Sequence, residues 1–347
     1  MGNEALELTR DLTRREFLHL SGLSMLSLGL PLNWRRSQLE LSEGPLARVL
    51  EPAAGLYERP YFSSEKLETC HLDDVLPIEM AVLGDVLPEH NRVWYYVNQR
   101  GFLHSSSVQP VLNCRNQPLD LAGDELRLAE VSVPYVDAYL KPAGGDASAY
   151  RLYYATTHWV SGSSRDASGE VWYRIEDPRV SFAYHAPATA LRLVQDDELS
   201  PISLEVPASE KHIQVDLERQ WLKCYEGSSL CFMTRVSTGC VFDIGDFSTR
   251  PGVFPTRIKR ASRHMWVSPS EGGYDYPGVP WVNYFNLAGD ALHGTYWHND
   301  FGTPHSHGCV NLTPKAAKWI FRWTLPSVPA DATEVWVEEG TIVRITS

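Results

Sequence analysis

The sequence predicts a mainly β fold with one well-signalled helix near its C-terminus. Three observations carry this. Gly and Pro are plentiful, 24 and 23 of 347 residues, beside 11 Trp, 16 Tyr and 11 Phe, a mix that suits many short strands and turns better than long helices. Apolar residues alternate in short runs, as in "HIQVDL", where Ile213, Val215 and Leu217 share one face. Finally, Thr313 is a good N-cap, Pro314 suits the first helical position, and Ala316, Ile320 and Trp323 fall on one side of the helix that follows. With 43% hydrophobic residues the chain can bury sizeable cores, enough for two or three domains. The net charge of −12 argues against a nucleic-acid partner, which needs a basic face.

Taken in order, the chain opens with "LTRREFLHLSGLSMLSLGLPL" (12–32), in which Arg14 and Arg15 precede an apolar run broken by Ser, Gly and Pro. The run is too short to span a bilayer comfortably but suits the apolar part of an export signal. "TRREFL" resembles a bacterial twin-arginine signal, a receptor-read address. No small-residue cleavage site of the A-x-A kind follows, and cleavage, retention as an anchor, or neither all stay open. The expected location is outside the cytoplasm: the periplasm, cell wall or surface of a bacterium. A polar linker to residue 45 completes this part.

Strands are expected at "MAVLGDVL" (80–87) and "RVWYYV" (92–97), followed by "QRGFLHSSSVQPV". This strand, tight turn and "GFLHSS" pattern resembles the end of a bacterial SH3-like barrel. "EVWYRIED" (170–177) followed by "SFAYHAPATALRLV" (181–194) makes a second pass of the same kind, read as an internal repeat. The expected domains are 46–115 and 116–205, both SH3-like, then 207–347 after the Pro-containing boundary "DELSPISLEVPASEK". In the last domain, "QWLKCYEGSSLCFMTRVSTG" reads as a hairpin, with further strands at 252–258, 281–287 and 333–339. None of the six cysteines makes a C-x-x-C pair. A hairpin turn at 226–229 would set Cys224 and Cys231 opposite one another, compatible with a disulfide or with two reduced thiols.

The chemistry concentrates in "HGTYWHNDFGTPHSHGCVNLT" (293–313), with four histidines and one cysteine. A zinc site would draw on His293, His298, His305, His307 and Cys309, but no H-E-x-x-H occurs and only Asp300 offers a nearby carboxylate. A packing loop explains poorly a cysteine between Gly308 and "VNLTP". A thiol nucleophile explains it best: Cys309 needs an imidazole as base, Gly308 permits a tight turn that exposes main-chain N–H groups, and His293 sits on a separate element.

"HGT" (293–295) followed by "SHGCVN" (306–311) resembles the active-site signature of the YkuD-type L,D-transpeptidases, and the likeness extends over about residues 207–345. "TRPGVFPTRIKR" (249–260) is similar to the family's Thr-Pro-x-Gly-x-Phe-x-Ile-x-x-Lys stretch, departing from it at Arg250 and Pro255. The resemblance implies a YkuD-like β-sandwich or barrel with a helix after the catalytic cysteine. It also implies Cys309 as nucleophile, His293 as base, and the Gly294 carbonyl as orienter of the imidazole. His307, Gly308 and Cys309 would supply turn geometry and oxyanion donors, with Ser306 and Asn311 as supporting hydrogen-bond partners. Tyr284 and Trp297 would line the substrate pocket, with 265–281 as a lid. His298 and His305 are read as bystanders. The implied reaction is attack on a peptidoglycan stem tetrapeptide, release of D-alanine, and transfer of the thioester to a second stem. Water as acceptor would make a carboxypeptidase, and a protein amine an anchoring enzyme. Acylation by carbapenems is implied; no metal or organic cofactor is. The reading from another class is a wall-binding protein with an inactive catalytic domain.

Overall fold

The computed structural model describes residues 44–123, 125–145, 147–268 and 273–347. The twin-arginine segment lies outside the described residues. The described chain is mainly β.

The N-terminal part holds β1 (Leu46–Val49), β2 (Ala54–Tyr57), β3 (Lys66–Cys70), β4 (Val75–Leu83), β5 (Val93–Val97), β6 (Gly101–His104) and β7 (Val108–Val111). Next come β8 (Arg127–Val131), β9 (Tyr135–Ala138), β10 (Tyr150–Tyr153), β11 (Thr157–Arg165), β12 (Val171–Glu176), β13 (Tyr184–Pro187) and β14 (Leu191–Leu193). The two groups share a wiring. The first sheet runs β3-β2-β6-β5-β4-β1-β7, and the second runs β13-β12-β11-β8-β14. The β9–β10 ribbon joins the latter through a Tyr139–His185 bridge, as β2 joins β6 at Tyr57–Phe102. A single 3-10 turn separates the last two strands of each group, Ser105–Ser107 in one and Ala188–Ala190 in the other. Each group closes on its own apolar core, around Val97 and Leu103 in the first and around Val160 and Ile175 in the second.

The C-terminal part contains β15 (Lys211–Asp216), β16 (Trp221–Glu226), β17 (Ser229–Arg235), β18 (Val241–Phe242), β19 (Gly245–Asp246), β20 (Gly252–Pro255), β21 (Ile258–Val267) and β22 (Tyr274–Tyr284). β23 (Ala291–Gly294), β24 (Val310–Leu312), α1 (Pro314–Trp323), β25 (Val335–Trp336) and β26 (Ile342–Thr346) complete it. Two five-stranded sheets, β17-β16-β15-β26-β20 and β24-β23-β22-β21-β25, share one core with the helix. Ile213, Val215 and Leu222 from the first sheet meet Leu292, Val310 and Leu312 from the second, with Ile320 and Phe321 of α1 between them. The Thr313 side chain accepts from Ala316 N–H, and Pro314 opens the helix as expected.

Several sequence expectations need correction. The described residues of the 265–281 stretch are strand instead of loop: 265–267 end β21 and 274–281 belong to β22, a long antiparallel pair running from Ile258–Tyr284 to Val267–Tyr274. Its Gly and Pro content misled, because Val279, Pro280 and Trp281 are buried by packing rather than exposed in a loop. The strand expected at 281–287 ends at Tyr284, and that at 333–339 shrinks to Val335–Trp336. "IVRIT", unassigned in the sequence reading, forms β26, which lies between β15 and β20. The Cys224–Cys231 register also fails. A bulge between Cys224 and Tyr225 pairs Cys224 with Phe232, so Cys231 is displaced and its thiol donates instead to the Cys224 carbonyl. Both are free thiols.

Candidate active site

Two parallel strands make the site. β23 pairs with β24 in the register Leu292–Val310, His293–Asn311, Gly294–Leu312. Side chains alternate along a strand, so His293 and Asn311 face the same way, and Cys309, two residues before Asn311 at the entrance to β24, shares that face. In the register of the pair, Cys309 is therefore diagonal to His293.

The tautomer of His293 follows from its partner. Nδ1 lies 3.0 Å from the Gly294 carbonyl oxygen, which can only accept, so Nδ1 carries the proton and Nε2 offers its lone pair. Burial holds the imidazole near a pKa of about 4, against the small upward pull of that hydrogen bond. The thiol is shifted the other way. Burial pushes Cys309 up to about 12; a hydrogen bond from the Ala291 main chain opposes this and the charge of Asp290 adds to it. The resting pair is therefore neutral thiol and neutral imidazole, not thiolate and imidazolium.

The turn bearing Cys309 is built from both sides. Gly308 has φ +106°, and a Cβ there would stand 2.4 Å from Asp290 Oδ1. Only glycine satisfies both conditions. Thr249 Oγ1 donates to the Gly308 carbonyl at 2.8 Å and accepts from Gly239 N–H at 2.8 Å. Ser306 Oγ donates to the Cys309 carbonyl, while its own main chain bonds Thr238 and Cys240. Asn311 exchanges main-chain hydrogen bonds with Ser237, and its amide meets His298 Nε2 at 3.0 Å. Arg250, one departure from the family pattern, is exposed and leaves Thr249 buried; Pro255, the other, sits on the edge strand β20, where a missing N–H is tolerated.

Aromatic rings wall the site. Trp297 lies 5.8 Å from the His293 ring and stacks on Tyr276 at 3.9 Å. Tyr284 and Trp297 pack with Cys309 against Val279, Val282, Ala291 and Tyr296. Burial shifts the hydroxyls of Tyr284 and Tyr274 upward, Tyr274 to about 12. The His307 ring, whose main chain is expected to supply turn geometry and an oxyanion donor, packs among Phe242, Phe247 and Tyr274.

The histidines do not converge. His305 Nε2 and His90 Nε2 each bond Asp300, at 3.1 and 2.9 Å, so this carboxylate ties the N-terminal part to the C-terminal one. Asn299 does the same through the carbonyls of Ser105 and Val108. His298 Nε2 is held against the Asn311 amide. Among the described residues no group of three His, Cys, Asp or Glu side chains is placed to hold a metal ion. The sequence reading missed Thr249, Gly239, Asp290 and Tyr276. Thr249 had a signal, as the residue preceding the irregular Arg-Pro pair; Asp290 had none.

Residues 210–345 match the family model of YkuD, the L,D-transpeptidase catalytic domain. The chain is 28% identical over 138 residues to the Bacillus subtilis (strain 168) protein named "Putative L,D-transpeptidase YciB", covering 36% of this chain and 68% of that protein. Among solved structures, an Enterococcus faecium L,D-transpeptidase is similar at 23% identity with a TM-score of 0.32; the match covers 40% of this chain and half of that one. A Mycobacterium smegmatis L,D-transpeptidase matches at 15% identity and a TM-score of 0.33, over 90% of this chain and all of that one.

Proposed function

From the match of residues 210–345 to the family model of YkuD, the L,D-transpeptidase catalytic domain, we propose that this protein is a peptidoglycan L,D-transpeptidase working through a thioester on Cys309. The reading is supported by the register of β23 against β24, in which His293 pairs with Asn311, two positions after Cys309, and by the Gly294 carbonyl, which leaves His293 Nε2 as the lone-pair nitrogen.

The resting charges define the order of events. A thiol near 12 beside an imidazole near 4 does not ionise in advance. The proton passes from sulfur to His293 Nε2 as sulfur attacks the carbonyl of the third stem residue, and the Gly294 carbonyl holds the imidazolium that forms. Main-chain N–H groups of the 307–309 turn receive the developing oxyanion. The tetrahedral adduct collapses, the C–N bond to D-alanine breaks, and His293 Nε2–H protonates the leaving amine. The acceptor amine then reverses these steps against the thioester, giving a cross-link between third residues. Tyr284 and Trp297 line the peptide channel. Export by the twin-arginine segment and SH3-like wall binding by residues 46–205 belong to the same proposal.

Incubating the full chain with a carbapenem and weighing it tests the chemistry: one covalent adduct on Cys309 is expected, absent from Cys309→Ala and strongly reduced in His293→Ala. An unmodified wild-type protein would favour the wall-binding alternative. Product analysis with a disaccharide-tetrapeptide then separates cross-linking from trimming to the tripeptide, the outcome expected of a carboxypeptidase.

A further inference from the structure

One charge at the catalytic turn has no part in acyl transfer as just described. Asp290 closes the 286–290 loop: its N–H donates to Asn286 Oδ1 at 3.0 Å, its Oδ2 accepts from Asn286 Nδ2 at 2.6 Å, and its carbonyl accepts from Phe285 N–H at 3.0 Å. These bonds fix the carboxylate and leave Oδ1 over the turn, 2.4 Å from where a Gly308 Cβ would stand. The residues on either side both face the nucleophile. The Gly289 carbonyl lies 4.0 Å from Cys309 Sγ, and the Ala291 main chain bonds the same sulfur. Among the described residues no ion pair engages Asp290.

A fixed anion here works against the first half of the reaction. It opposes ionisation of the thiol and sits beside the turn that must receive an oxyanion. It helps only a step in which a cation arrives.

We propose that Asp290 receives the protonated primary amine of the acceptor and holds it over the thioester; this rests on the acyl transfer proposed above. The bound ammonium releases one proton to solvent. The neutral amine attacks the thioester carbonyl, its nitrogen passes a second proton to His293 Nε2, and the C–S bond breaks as an amide forms. His293 returns that proton to the departing Cys309 sulfur, restoring the thiol. Water arrives uncharged and gains nothing from the carboxylate, so Asp290 biases the acyl-enzyme toward transfer over hydrolysis.

The test uses the full chain, a disaccharide-tetrapeptide donor and two added nucleophiles: Nα-acetyl-lysine, whose amine is an ammonium at neutral pH, and hydroxylamine, which is largely neutral there. In Asp290→Asn the ratio of lysine amide to hydrolysed product should fall about tenfold, the weight of one partly solvated ion pair. The hydroxamate ratio should move less than about twofold, and carbapenem acylation should quicken. Should this variant not fold, added salt on the wild type should lower the lysine ratio and spare the hydroxamate ratio. Equal loss with both nucleophiles, or no change with either, overturns the inference alone. A wild type that forms no thioester overturns the proposed function and the inference with it.

Discussion

Thr249 donates its hydroxyl to the carbonyl of Gly308 at 2.8 Å, from a position 59 residues earlier in the chain and almost fully buried. Because the same oxygen accepts from Gly239 N–H, one side chain fixes two main chains that pack too closely for any Cβ on Gly239. Thr249→Val keeps the shape and removes both bonds. It should cost about 1–3 kcal/mol of stability, the penalty for buried polar groups left unpaired, and slow carbapenem acylation. Denaturant unfolding and timed mass spectrometry measure the two effects.

Substituting Gly308 tests the other half of the turn. Ala at φ +106° is strained, and its Cβ would strike Asp290. Gly308→Ala should lose carbapenem acylation by at least about a hundredfold, the scale set by misplacing a reacting atom. Pairing it with Asp290→Ala should recover part of the loss by removing the clash but not the backbone strain. Full recovery would mean that the conformation of the turn does not matter.

The pH profile of acylation follows from the two shifted groups. In the proposed reaction His293 acts as base only when neutral, and its lowered pKa keeps it neutral down to about 4. Acylation should therefore stay flat from neutral pH to about 5 and fall only near 4, instead of falling near the ordinary imidazole value of about 6.5. Stopped-flow acylation across this range gives the midpoint.

Stability should respond to acid with a definite sign. His293, His158 and His298 have pKa values lowered by burial to about 4, 4 and 3. Unfolded, each takes a proton below about 6.5, while the folded chain does not. The unfolded state binds more protons in that interval, so stability falls as pH drops from about 6.5 toward 4. His264 acts in a separate window: burial opposes its protonation, but hydrogen bonds to Asp177 and Asp275 hold the net pKa upward, so its contribution fades only as pH rises above the ordinary value. Melting temperatures at pH 4.5, 6.5 and 8 separate the two effects.

Lys259 is fully buried, with Nζ donating to the carbonyls of Phe321, Thr324 and Pro326 at the C-terminal end of α1. Its N–H groups satisfy carbonyls the helix leaves open, although burial pushes the Lys259 pKa well down. Lys259→Met should lower stability by about 2–4 kcal/mol, more than an exposed lysine would. Thermal unfolding checks it.

The sequence revealed those parts of the fold whose signals are local. Thr313-Pro314 marked the helix because capping and the first turn need only neighbouring residues. Ile213, Val215 and Leu217 marked β15 through period-two alternation. β22 was obscured because burial on both faces erases alternation, leaving Gly, Pro and aromatic residues that read as a loop. β26 was too short to stand out, and its value lies in parallel pairing with β15, which sequence does not display. At the site, "SHGCVN" and "HGT" were legible as residue types at fixed spacing. Their neighbours Thr249 and Asp290 were not, because only the folded sheets bring them to Gly308. The Cys224–Cys231 pairing failed for want of one bulged residue.

The shared wiring of the two N-terminal sheets supplies a built-in control experiment. β4 and β11 occupy the same place in the strand order, yet β11 buries His158, Trp159 and Val160 while β4 leaves Met80 and Leu83 about half exposed. By the matching bulges after Ile78 and Val160, Met80 and Leu83 correspond to Gly162 and Arg165, while Trp159 and Val160 correspond to Pro77 and Ile78, which are less buried. Polar residues at 80 and 83 should be nearly neutral, within about 0.5 kcal/mol, whereas the same changes at 159 and 160 should unseat the strand that hydrogen-bonds Ala261 through Thr157.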